Sequence, residues 1–544
     1  MNVKKRLSIF FAATAMLSLA ACTAGGKSGQ EVPAEWSTST PSAVGSVDEV
    51  AWNLPYGEPA TLHWLRSAGF SESTVLSALC ESLLRIAPDF SYEPGLATVA
   101  TPDDTTLVYT LRDGVTFSDG NLVTADDVVY SLSQNLDPEV GSFWSGGFSS
   151  VESITVTGDG EVTVKLTQPD ALFNQIMATS GGIIVEKTFA QKAGADYGTS
   201  QGGVMCSGPY QFDAWVPGDS IRVSANPNYW DQEHAPKVAA IDFSFVTNAS
   251  TLTDALRTGE IDGSYEVPFT AIKALSASDS GSLAFGTSLG FAEMVFWGDD
   301  GVGIGPEIRH ALSLAIDRDA IASSIFQGAA RPIWSPFFEA LWGESSSVYK
   351  PAYDGLDQNA GADLDAAREA LAGVDTTTPL RLLSNADDPA AKALGAYIQS
   401  QAKEIGLTIG LVELPAAQYI AVAFDPERQL DYDLTVGTTS YVDIPDPTYW
   451  AGLVMASTGF FNGLRYSDPD VDAWIAEAQA TLDPDARAAL MVKVQERAYG
   501  RDQITVPIVQ IASVQFMNNK ITGANPTLNA HFYYPWARDL GSSE

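Results

Sequence analysis

Three sets of residues in this 544-residue chain have types and spacings that chemistry could use. Gly198-Thr199-Ser200-Gln201-Gly202 matches the G-x-S-x-G pattern of a serine nucleophile. That serine works only on a sharp turn between a buried strand and a helix, beside an oxyanion hole. Here Lys192-Ala193-Gly194-Ala195-Asp196-Tyr197 precedes it and Gly203 follows, so a polar loop is expected and no catalytic residue. Histidines stand at 63, 234, 310 and 531, too far apart in sequence for two to share a helix face, so no local metal-ligand pair forms. Neither a metal nor a cofactor is expected. Gly26-Lys27-Ser28 lacks the phosphate-loop glycine, because Ala21 stands there, and Gly301-Val302-Gly303-Ile304-Gly305 follows no buried strand. The third set is Tyr441-Val442-Asp443-Ile444-Pro445-Asp446-Pro447-Thr448-Tyr449-Trp450, two carboxylates among aromatics and prolines. Aspartates beside prolines also cap turns, and that reading of Asp443 and Asp446 stays open here.

The amino terminus says where such residues would work. Lys4, Lys5 and Arg6 precede an apolar run from Leu7 to Ala21, the layout of a secretory signal. The run is too short for a membrane span, which needs about 20 residues at 1.5 Å rise each. Leu19-Ala20-Ala21-Cys22 resembles the bacterial lipobox, whose cysteine carries diacylglycerol and becomes the mature amino terminus; Cys22 is the expected lipid site. The expected placement is therefore outside the cytoplasm, anchored by lipid to the cell membrane. Gly, Ser, Thr and Pro dominate the following stretch, so 22–47 is expected to be a flexible tether. Of the three cysteines, Cys80 and Cys206 remain; outside the cytoplasm an even remainder favours a disulfide, with two buried thiols as the alternative.

Composition narrows the class further. The net charge of -37 becomes -40 once Lys4, Lys5 and Arg6 leave with the signal, which disfavours nucleic acid as a partner. With 45% hydrophobic and 18% charged residues, the body is globular with a sizeable core.

The elements that must position these residues follow from periodicity. Leu107, Tyr109 and Leu111 alternate with polar positions, as do Val162, Val164 and Leu166, with Asp113-Gly114 and Asp119-Gly120 as turns, so short antiparallel strands are expected. Ile308, Ala311, Leu312, Ala315 and Ile316 recur at helical spacing from Pro306, with Gly328 available to end the segment. Asp388-Pro389 opens a helix through Ile405, and Leu407, Ile409 and Leu411 then alternate as a strand. Val471, Trp474, Ile475 and Ala478 mark another helix, and Asp483-Pro484 starts one more. The pattern is a mixed α/β protein of several lobes.

Several segments, in order, resemble the bacterial extracellular solute-binding proteins of family 5, the peptide and nickel class that serves ABC importers. The most recognisable is Leu107 to Gly120 (LVYTLRDGVTFSDG) followed by Thr124-Ala125-Asp126-Asp127-Val128, with Glu81 to Leu84 and Pro94 to Ala97 upstream. Ser207-Gly208-Pro209-Tyr210, Asn228-Tyr229-Trp230, Ala255 to Asp262, Ile308 to Arg318, Asp446-Pro447 and Asp483 to Arg487 continue it. Leu62-His63-Trp64 and Val295 to Asp300 depart from the family's usual residues.

The resemblance implies a two-lobed fold of the periplasmic-binding-protein type II kind with an extra N-terminal subdomain. After a signal at 1–21, it divides the chain into lobe I at 48–75, 206–290 and 503–544, the extra subdomain at 76–205, and lobe II at 291–502. It further implies capture of a short peptide between the lobes and delivery to an ABC permease and its ATPase, by a monomer without enzymatic activity. The same fold also holds other solutes, such as a nickel complex, an oligosaccharide or another small molecule, and a surface-anchored hydrolase and a passive surface adhesin are the competing classes. In peptide-binding members an aspartate at the place of Asp443 pairs with the ligand's α-ammonium, a task a carboxylate suits because a desolvated ammonium needs opposite charge and acceptors. Tyr441, Trp450, Trp297 and Trp334 are the expected cleft walls.

Overall fold

The computed structural model describes residues 32–33, 35–54, 56–67, 69–298, 304–356, 358–527 and 534–544. Cys22, the signal and His531 lie outside them. Five strands organise the molecule: β1 (Gly281–Gly286), β2 (Gly290–Phe296), β3 (Leu434–Tyr441), β4 (Thr505–Ile511) and β5 (Ser513–Asn518). β1 and β5 pair antiparallel at one edge of a seven-stranded sheet that continues through Gly263–Ser264, Val47–Asn53, Val238–Ser244, Ser220–Ala225 and Tyr210–Val216. β2, β3 and β4 belong to a second sheet of six, in the order Ala330–Pro332, β4, β2, β3, Leu380–Asn385, Ile409–Leu414. The chain therefore crosses between sheets twice, at 287–289 and at Ala512, and these adjacent crossovers join lobe I to lobe II.

This corrects one expected boundary. Segment 503–544 was expected in lobe I, yet β4 within it pairs with β2 and with Ala330–Pro332, so only the chain from β5 onward returns. β4 and β5 are both buried along their whole length, and a continuous apolar run does not reveal which sheet each half joins.

The four-stranded antiparallel sheet of the extra subdomain runs from Ala97 to Leu166. The last part of 76–205 departs from that subdomain: Ile183, Val185, Ala190, Tyr197 and Val204 pack into the lobe I core with Trp52, Tyr210 and Trp536. Cys80 and Cys206 form a disulfide there, with Cα atoms 4.9 Å apart, tying the helix Phe70–Leu79 to the start of the Tyr210–Val216 strand.

Helix starts follow one local rule. Five described helices begin with Asp as N-cap and Pro next, at Pro389, Pro426, Pro447, Pro469 and Pro484. The aspartate accepts from the first free N–H groups, and proline has none to lose. The helix from Pro306 ends at Ala315, short of Gly328, because Asp317 caps a second helix, Arg318–Ser324.

The N-terminal stretch is also corrected. From residue 35 on, the segment expected as a free tether is fastened to the body: Ser37 N donates to Phe285 O at 2.8 Å, Thr40 Oγ1 to Ala524 O at 3.0 Å, and Val44 N to Ser542 O at 2.9 Å. Its polar composition reads as a linker, but the bonds from Ser37 N and Val44 N are main-chain pairings, which any sequence can make. Trp36 reaches lobe II, where the Arg331 guanidinium lies 4.1 Å from its ring centroid.

Candidate functional site

The lobes meet where β3 ends. β3 pairs with β2 from Leu434↔Phe296 to Tyr441↔Gly290, which carries Tyr441 to the crossovers. From lobe II its hydroxyl donates to Glu266 Oε2 of lobe I at 3.0 Å. Burial raises Glu266 to about 7, while bonds from Tyr441 and Ser513 pull the other way. Glu266 holds a positive φ of 48°, a strained backbone for glutamate that recurs at functional sites.

Beyond Tyr441 the chain turns through Val442–Pro445 into helix α1 (Pro447–Val454). Asp443 in this turn is 8% exposed and accepts from the Tyr449 hydroxyl at 3.3 Å. Burial first, and Asp443 second, push the Tyr449 phenol well up. The Tyr449 ring faces Trp144 of the extra subdomain, 6.2 Å between centroids. Asp443 thus bonds to Tyr449, whose ring meets Trp144 of the extra subdomain.

Asp446, three residues on, does structural work. It caps α1 by accepting from Thr448 N at 2.8 Å. It also pairs with Arg487 Nε at 3.1 Å and accepts from Gln175 Nε2 of the extra subdomain at 3.2 Å. Arg487 belongs to α3 (Pro484–Gln495), reached through α2 (Pro469–Ala480). At the end of α2, Gln479 O accepts from Ala171 N of the extra subdomain at 2.8 Å, a further bond across the junction.

Of the five expected ligand residues, the structure brings Tyr441 and Asp443 together at the junction and spreads the other three. Trp450 lies beneath it, 6% exposed, with its ring edge-on to Phe291 of β2 at 5.2 Å. Trp297 stands at the opposite end of β2 from the Gly290–Tyr441 pair, roughly 23 Å along seven residues of strand. It is buried there with Leu383 and Val422. Trp334 follows the Ala330–Pro332 strand and packs on Tyr353, 6.4 Å between centroids. Glu266, Tyr449, Trp144 and Gln175 were not anticipated in these roles; only Tyr449, inside the aspartate-rich segment, carried any sequence signal.

The serine pattern takes no part. Gly198–Gly202 is a turn that follows a short 3-10 segment and no strand, held by Thr199 Oγ1 to Asp196 O at 2.7 Å. His63 stacks on Trp64, and burial, then Arg66, lower its pKa to about 4. Among the described residues no cluster of His, Cys, Asp and Glu is arranged to hold a metal ion, and no helix is long and apolar enough to cross a membrane.

Two lobes joined by two adjacent crossovers, with an aspartate at their junction, define a two-lobed binding protein, and relatives agree. Residues 91–461 match the bacterial extracellular solute-binding proteins, family 5, and the chain belongs to that family. It is 27% identical over 457 residues to Protein XP55 of Streptomyces lividans, covering 81% of this chain and 79% of that one. It is 25% identical over 485 residues to the oligopeptide-binding protein OppA of Bacillus subtilis, covering 80% and 83%. The fold is shared with the binding protein AgaA of A. tumefaciens R10 in complex with agropinic acid, at a TM-score of 0.76 and 22% identity over 91% of this chain and 98% of that one. The chain is accordingly an extracytoplasmic solute-binding protein of an ABC importer.

Proposed function

We propose that this protein captures a short peptide between its lobes, with Asp443 receiving the peptide's α-ammonium, and hands it as a lipid-anchored monomer to its permease. The observation that carries the reading is Asp443 itself: a nearly buried carboxylate in the turn after β3, bonded to Tyr449, whose ring meets Trp144 from the facing subdomain. Likeness to an oligopeptide-binding protein supports the ligand class. A ligand bonded to both lobes favours the arrangement in which they meet, so binding shifts the population toward closure. Main-chain bonds to a peptide are tolerant of its sequence, which suits a nutrient scavenger.

Calorimetry with a tripeptide and its N-acetyl form tests this. Asp443→Ala leaves an ammonium buried without its partner and is expected to cost about 2–5 kcal/mol of binding. Acetylation should weaken binding to the unmodified protein and matter much less to the variant. Equal losses in both proteins would remove Asp443 from the amine's site. For the anchor, Cys22→Ala should release the protein from the membrane fraction or leave it uncleaved, since the lipobox thiol is where the diacylglycerol enters. A variant retained there with unchanged mobility would overturn that assignment.

A further inference from the structure

The two crossovers join the lobes, and the N-terminal segment touches both lobes beside them. Ser37 N donates to Phe285 O at 2.8 Å, and Ser37 stands in parallel register with Gly286, the last residue of β1 before the first crossover. Further along, Pro41 O accepts from Thr522 Oγ1 at 2.7 Å, and Ala43 O from Lys237 Nζ at 3.0 Å. Residues 37–45 are therefore fixed to lobe I.

The side chains just before them meet lobe II. The Arg331 guanidinium lies 4.1 Å from the Trp36 ring centroid, and Arg331 sits in the Ala330–Pro332 strand, which pairs with β4. Val32 lies against the lobe II turn at Gly328, where an added Cβ would stand 3.7 Å from its Cβ and Cγ2. Between these two points Ala329 O accepts from Ala512 N at 2.9 Å, at the second crossover. Trp36 and Arg331 thus face each other where the lobes turn, one held by each lobe. Their contact coexists with the bonds that cross the junction, Tyr441 to Glu266, Gln175 to Asp446 and Ala171 to Gln479. Attraction between a cation and a tryptophan face falls off with separation, so a rotation that carries Arg331 off the ring loses it.

We propose that residues 32–45 form a closure strap: Trp36, fastened to lobe I, grips Arg331 of lobe II when the lobes meet and so tunes the affinity of the cleft from outside it. The strap rests on capture between the lobes as proposed above, but not on the ligand being a peptide. Coupling is reciprocal, so a pull that lifts residues 32–36, the segment leading back to Cys22, favours opening.

Pulsed electron resonance on the ligand-free full-length protein tests it, with spin labels on p-acetylphenylalanine introduced at Gln168 and Ala480. These exposed residues flank the Ala171–Gln479 bond, so their separation reads closure. A short and a long distance are expected. Trp36→Ala should lower the ratio of short to long about two- to fivefold, and Trp36→Phe should restore most of it. In an Arg331→Met background Trp36→Ala should change nothing further, an outcome that simple packing of the indole would not give. The proposal fails if the parent shows no short distance, if Trp36→Ala leaves the ratio unchanged, or if it lowers the ratio equally in the Arg331→Met background. Tripeptide affinity should fall by the same factor in Trp36→Ala. A parent that binds no tripeptide overturns the peptide reading, while the distances still decide the strap.

Discussion

Asp443 and Asp446 stand three residues apart in one turn, both under 9% exposed, and their surroundings separate them completely. Asp446 has a helix N-terminus to cap, an arginine to neutralise it and a glutamine from the facing subdomain. Asp443 has no helix to cap and accepts from a tyrosine hydroxyl at the junction. Asp446, neutralised within its own lobe, is part of the fold, whereas Asp443 is the carboxylate proposed to receive a cation from outside. Glu293 and Glu266 repeat the contrast. Burial raises both to about 7, but Glu293 is enclosed within lobe II beside Ser440 and Thr505, while Glu266 meets the opposite lobe through Tyr441.

The contrast breaks most directly at Asp446. Removing one partner of a buried ion pair strands the other, so Asp446→Ala should lose about 3–5 kcal/mol of stability in urea unfolding. Asp443→Ala should lose less, because the Tyr449 hydroxyl it releases is neutral whereas Asp446→Ala strands the Arg487 charge. Equal losses would mean that both aspartates are structural.

A next, smaller effect concerns pH and folding. Glu293 has a raised pKa in the folded protein, so its contribution is present below its ordinary value of 4.5 and is lost as pH rises toward about 7. Glu293→Gln should therefore stabilise the protein at pH 8 by about 1–3 kcal/mol and change nothing near pH 4. Stabilisation of the same size at both pH values would show that the carboxyl does not titrate in the folded state.

At Glu266 the same sign applies to closure instead of folding. Opening the lobes returns Glu266 to water and lowers its pKa, so closure takes up a proton between pH 4.5 and about 7. Tyr441, Ser513 and Tyr56 are the groups that face it. Tripeptide affinity should fall roughly tenfold from pH 5 to pH 7, and Glu266→Gln should flatten that slope. A slope that survives the substitution assigns the proton elsewhere.

The smallest effect is expected at Gln175, whose bond to Asp446 joins the extra subdomain to lobe II. Gln175→Ala should weaken peptide binding by about 0.5–1 kcal/mol with little change in Tm, since the bond exists only when the two meet. An unchanged affinity would show that this bond persists when the lobes part.

Much of the architecture was legible because it is local. The strands at 106–111 and 161–166 follow from two-residue alternation, and the Asp-Pro starts at 388, 446 and 483 follow from capping. Ordered segments of the family then carried the two-lobed fold. The site was less legible. Trp297, Trp334 and Trp450 read equally well as ligand walls or as packing, because an aromatic offers the same large apolar face to either.

What the sequence determined by itself is what adjacent residues can settle: where helices begin, which segments alternate, and the family those segments compose. Tertiary structure decided whatever depends on residues distant in sequence. It sent β4 to one sheet and β5 to the other, bonded residues 35–45 to the body, joined Cys80 to Cys206, and set Glu266 against Tyr441 across 175 positions. Asp443 and Asp446 differ for the same reason. The same side chain becomes a helix cap paired with an arginine or a carboxylate bonded to a tyrosine at the junction according to which residues from elsewhere in the fold reach it, and no local pattern encodes their arrival.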